Sequence, residues 1–198
     1  MDVLHKLTIP LFPLDAVLFP GGVLPLRIFE PRYLDMISSC MKTESGIGVV
    51  LIDEGHEAGA AAKVHEFGTL SFISYWHKRN DGMLGITLTG KQRFRVLATD
   101  VKLNQLTVAD IELLPNIEAA KNAHDTEQLT NLLKQIIANL EPPYTTMPKH
   151  YDDLDWVSAR LIELLPLRLR DKQNMLVMTN INERMEYLRP LLVSMEMI

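Results

Sequence analysis

LPLRIFEPRYLDM, residues 24–36, starts as a strand and ends as a helix. Leu24, Leu26 and Ile28 alternate with Pro25, Arg27 and Phe29, the period of a strand with one buried face. Pro31 suits the first helical position, where a missing N–H costs nothing. Tyr33, Ile37 and Cys40 then share one helical face, and Phe29 is placed to pack on Leu34 as a hydrophobic staple. Glu30 complements the positive end of the helix dipole, whereas Arg32 opposes it, so something must offset Arg32. Arg27, Glu30 and Arg32 are therefore expected to form an ion-pair and hydrogen-bond clasp that fixes the strand-to-helix turn. The rival reading is that these three charges do chemistry.

Working outward, residues 1 to about 115 are strand-like. KLTIPLF, GVVLI at 48–52, GTLSFISYW at 68–76 and LTVADIELL at 106–114 read as short strands. MLGITLTG followed by QRFRVLA reads as a hairpin turning near Gly90, with HKRNDG a polar loop before it. After Pro115 the period becomes helical. Asp125 with Gln128 resembles a capping box ahead of the stripe Leu129, Leu132, Leu133, Ile136 and Leu140. Asp152 or Asp153 can cap a helix carrying Leu154, Val157, Leu161 and Leu164. A short helix is expected at 171–178, then a last one capped by Asn182 and kinked at Pro190. This predicts an α+β chain, with a β-rich domain over residues 1–118 and a helical bundle over 119–198.

The 198-residue length suits one large domain or two small ones, and 47% hydrophobic with 23% charged residues is an ordinary globular balance. The net charge of −5 argues against nucleic acid as a partner. One cysteine, Cys40, cannot form an internal disulfide, which points to a reducing compartment. Prolines and an Asp break up the first 15 residues where a secretory signal needs an unbroken apolar core, and no run is long enough to span a bilayer. A soluble cytoplasmic protein is expected.

The chemical motifs fail one by one. GITLTGKQ, residues 85–92, fits G-x-x-x-x-G-K, but Gln92 stands where a magnesium-binding Ser or Thr is needed, and a strand follows instead of a helix. DEGHEAGAAAKVHE, residues 53–66, has no recognised ligand spacing and reads as a solvated loop, so no metal is expected. Cys40 has no neighbouring base and lies on an apolar helical face, where a thiol acts as a small hydrophobe. YDDLDW is a cap with charge matched to the dipole. No catalytic residue and no cofactor is expected. Of ten methionines, Met175, Met178, Met185, Met195 and Met197 fall in the last two helices, as core filler or as adaptable contact surface. Trp76, beside His77, Lys78 and Arg79, borders a polar loop.

PLFPLDAVLFPGGVLPLRIFEPRYLDM, residues 10–36, resembles the opening of the Lon protease N-terminal domain family. GITLTGKQRFRV, residues 85–96, is similar to that family's second signature, and KQNMLVMTNINERMEYL, residues 172–188, to the end of its helical part. The resemblance implies a PUA-like β-barrel followed by an α-helical bundle. It also implies a stand-alone, non-catalytic protein that binds unfolded or partner polypeptides, without the ATPase and protease modules and without a membrane. Phe19, Trp76, Met83, Met185 and Met195 are the expected contact residues. RNA binding on a PUA-like barrel is the fold-level alternative, and a small-molecule enzyme the more distant one.

Overall fold

A computed structural model describes residues 6–117 and 123–198, with the side chains of 123–126 excepted. The expected domain boundary at 118/119 and the expected Asp125 cap lie outside what is described. The chain divides into two compact units, Met1–Pro115 and Asn116–Ile198.

The first unit holds β1 (Lys6–Leu14), β2 (Val23–Ile28), α1 (Pro31–Thr43), β3 (Ile47–Glu54), β4 (Lys63–Lys78), β5 (Leu84–Val101) and β6 (Thr107–Leu113). The six strands form one mixed sheet in the order β2-β5-β4-β3-β1-β6. β1 and β3 run parallel because α1 carries the chain across between them. β5 is long enough to pair with β4 along its first part and β6 along its last, so the pairings β5-β4-β3-β1-β6-β5 close on themselves. β2 lies outside this circuit, paired with Leu84–Thr89 of β5.

The apolar alternation goes into two clusters. Phe12, Ile28, Tyr33, Ile37, Cys40, Ile86 and Leu88 pack α1 onto the sheet. Leu11, Val50, Phe94 and Ile111 fill the second. Tyr33 stacks on Phe12 with centroids 4.4 Å apart, which anchors the first turn of α1.

The expected hairpin at Gly90 is instead one continuous strand, β5, with a register shift against β4 opposite Lys91. Gly90 serves close approach, not a turn. Its N–H donates to the Gly22 carbonyl at 2.9 Å, its carbonyl accepts from Gly21 at 2.8 Å, and a Cβ there would strike the Phe19 carbonyl. The P-loop-like string thus lies wholly inside a strand.

The second unit holds α2 (Ala123–Ala138), α3 (Leu154–Leu164), α4 (Leu169–Val177) and α5 (Ile181–Ser194). Asp153 caps α3, accepting from the Asp155 N–H at 2.9 Å. Asn180, not Asn182, caps α5, accepting the Asn182 N–H at 2.8 Å. α3 is buried from Leu154 to Ile162 on nearly every side, the mark of a central helix. Arg160 and Arg184 are buried with it: Arg160 pairs with Glu163 at 2.8 Å, and Arg184 with Asp155. Asp171 is also buried, held by Arg168 at 2.7 Å and by the Tyr187 hydroxyl at 2.8 Å. These contacts hold its carboxyl below the usual carboxylate range, the Arg168 hydrogen bond first.

Candidate functional site

The charges around α1 resolve into two separate arrangements. Pro31 opens the helix and Glu30 is its N-cap residue, but the Glu30 side chain makes no capping bond. It turns to Arg32 at 3.1 Å. Arg32 is only 6% exposed. Its guanidinium donates to the Gln105 carbonyl at 2.8 Å and the Glu57 carbonyl at 3.3 Å, and it lies 4.6 Å from the Tyr33 ring. The Glu57 carboxylate accepts from the Asp15 N–H at 2.7 Å. One buried cation therefore ties the β3–β4 loop and the β5–β6 turn to the start of α1.

Arg27 is not part of this corner. It is exposed on the solvent face of β2 and stands 3.9 Å from Asp81, a surface pair of small energetic weight. The expected three-residue clasp is a Glu30–Arg32 pair extended by loop carbonyls. Phe29 and Leu34 are both exposed, so the expected staple buries neither.

Two of the expected contact residues lie in the interior. Phe19 is 0% exposed, in the loop that Gly90 receives, and Met185 is buried on the inner face of α5. Met195 is half-buried at the end of α5. Trp76 and Met83 are exposed, Trp76 on the β4 arm of the β4–β5 hairpin and Met83 at its turn. Sequence reasoning missed their neighbours Phe72, Tyr75 and Met41, which are exposed as well. A signal was present: in SFISYW both parities are apolar, so the strand has no polar face to turn to water.

The hairpin's geometry explains this display. Residues opposite one another across an antiparallel pair share a face. Ile73 faces Leu88 and Trp76 faces Ile86, so the register shift around Ser74 puts Ile73 and Trp76 on the α1 side. Phe72, Tyr75 and His77 face Thr89, Thr87 and Gly85 on the other side. The His77 ring lies over Gly85, where a Cβ would collide, and stacks on Tyr75 at 5.5 Å. The turn closes with Gly82 at φ 81° and Asp81 accepting from the Met83 N–H at 3.0 Å. That bond, then Arg79, lowers the Asp81 pKa.

Between the end of α1 and β4 runs a groove of about 360 Å³, lined by Cys40, Met41, Glu44, Ser45, Phe72, Ile73, Ser74 and Trp76. Burial raises the Cys40 thiol above its usual range, so this wall carries a neutral thiol rather than a nucleophile. A second cavity, about 530 Å³, lies between the start of β4 and the end of β5. Its Lys63 is held by Asp53 at 2.9 Å and Glu54 at 2.7 Å, which gives it an ion-paired rim. Among the described residues, no three His, Cys, Asp or Glu side chains come together as metal ligands would, and no helix is long and apolar enough to cross a membrane.

The sequence pattern of the ATP-dependent protease La (LON) substrate-binding domain matches residues 8–194. This chain belongs to that family. Among solved structures, this chain is similar to the Lon N-terminal domain protein from Xanthomonas campestris. They are 32% identical, with a TM-score of 0.76, covering 93% of this chain and 98% of the other. The N-terminal domain of the Mycobacterium avium complex Lon protease shares the fold at 16% identity and a TM-score of 0.57, over 93% of this chain and 96% of that one. The Lon protease of Escherichia coli (strain K12) is 24% identical over 96% of this chain, and that of Parabacteroides distasonis 28% over 89%. This chain spans about a quarter of the length of these curated relatives, 25% and 22% respectively.

Proposed function

We propose that this chain binds extended or unfolded polypeptide segments, without cleaving them, in the groove between α1 and β4. The observation that carries the reading is the exposed apolar wall of that groove, Met41, Phe72 and Trp76, with Tyr75 and Met83 exposed on the same hairpin, in a chain matched by a substrate-binding domain. Clustered apolar surface of this kind marks contact sites on soluble proteins. Folded proteins bury such side chains and offer little to it; unfolded ones expose them. We also read the closed circuit of strand pairings as the PUA-like barrel that the sequence suggests, and the two compact units as separate domains.

Tryptophan fluorescence tests the binding reading directly. The chain has two tryptophans; Trp76 is 56% exposed and Trp156 is buried. A permanently unfolded protein, reduced and carboxymethylated, is expected to shift Trp76 emission to the blue. Its native form is expected to leave it unchanged. Equal response to both forms, or no response to either, overturns the proposal.

A further inference from the structure

β4 continues beyond the strand that covers it. Its pairing with β3 ends at Ile47↔Ser71, because the chain leaves α1 through Glu44, in the left-handed conformation at φ 53°, and enters β3 only at Ile47. β4 itself runs on to Lys78 and, among the described residues, is paired from Phe72 onward with β5 alone. The segment 72–78 therefore presents an open strand edge, with a row of backbone N–H and C=O groups turned away from β5. The groove described above lies along this edge, in line with β3 and upstream of Ile47.

We infer that this edge receives an extended guest strand, antiparallel to β4, which continues the line of β3. The inference rests on the polypeptide-binding reading and specifies how that binding is made. Main-chain pairing to the edge supplies affinity without demanding a sequence, while pockets beside it select alternate side chains. The edge suits an apolar guest on both faces: Ile73 and Trp76 stand on one, Phe72 and Tyr75 on the other. Charge sets the direction. Lys78 and Arg79 stand at the far end of the edge, Arg79 paired with Asp81, whereas Glu44 stands at the near end. An antiparallel guest places its N-terminal residues beside Lys78 and its C-terminal residues beside Glu44. The fitting guest therefore has acidic residues ahead of an alternating apolar run. Lys78 and the irregularity at Ser74 discourage pairing with unselected edges.

The test uses the full chain and a fluorescein-labelled peptide of two aspartates followed by alternating valine, threonine and phenylalanine, read by anisotropy. Two further peptides carry N-methyl groups on one or the other alternate set of backbone amides. Only one set of amides of a guest strand faces its host. Methylation of that set is expected to weaken binding about tenfold or more, from several lost hydrogen bonds, and methylation of the other set to leave it within about twofold. The Lys78→Glu variant is expected to prefer a peptide whose aspartates are replaced by lysines. If both methylated peptides bind as the parent does, edge pairing is overturned while recognition by the groove stands. The same holds if the parent peptide fails to bind although unfolded protein still shifts Trp76 emission. If neither peptide nor unfolded protein binds, both readings fall.

Discussion

At the Arg32 corner a guanidinium is buried and donates to two loop carbonyls; at the β4–β5 hairpin Trp76 and Tyr75 stand 56% and 60% in solvent. The corner uses a charge where apolar packing is the norm, and the hairpin shows grease where charge is the norm. The difference separates architecture from contact. Arg32 is surrounded by fixed acceptors from three parts of the same unit, so its hydrogen bonds are spent internally. The hairpin's aromatics are arranged by strand register and then left without cover.

This contrast can be broken from either side. Phe19→Ala is expected to have the largest effect, a loss of about 3–5 kcal/mol in urea unfolding, because it empties a fully enclosed site. The folded fraction should bind unfolded protein as before; loss of binding alone would return Phe19 to the contact surface. Arg32→Ala comes next, at about 3 kcal/mol, since it breaks a partly buried ion pair and removes the packed guanidinium from the corner. Arg32→Lys should recover only part of this, because an ammonium cannot reproduce the guanidinium's planar fork. A wild-type melting curve with reduced binding would make the corner a functional site.

Trp76→Ala reverses the pattern. Its stability should stay within about 0.5 kcal/mol of wild type, as for an exposed residue, while affinity for unfolded protein falls about tenfold. A smaller effect tests the buried thiol: Cys40 should resist alkylation at pH 8 until the first unit unfolds, and rapid labelling of the native chain would contradict its burial. In the helical unit, the lowered pKa of Asp171 stabilises the fold above the unfolded carboxyl value. That contribution is lost as pH falls from about 4 through the folded value. Asp171→Asn should be less stable at pH 7 and lose less on acidification, and equal acid sensitivity would dismiss the coupling.

The start of α1 was legible because its signals are local: strand alternation, a proline at the first helical position and an apolar face of period 3.6 all fall within residues 24–40. Arg27 stands apart from Glu30 despite its closeness in sequence, because strand parity puts it on the exposed face opposite Ile28. Gly90 read as a turn because the reason for a glycine there, the Phe19 carbonyl, lies some seventy residues away in the chain. Exposure at Phe72, Tyr75 and Trp76 is legible only in part: SFISYW shows two apolar faces, but where β3 stops decides that they stay uncovered. Phe19 and Met185 illustrate the same limit: an apolar residue type cannot tell contact surface from interior.

The pairing of β1 with β6 has a consequence for biosynthesis. Thr8 bonds Asp110 across 102 positions, so during synthesis β1 waits for β6 before that flank is sealed. At typical elongation speeds the wait is on the order of 5 to 20 seconds. For that interval one edge of β1 stays unpaired, and the circuit of strands stands open at that flank.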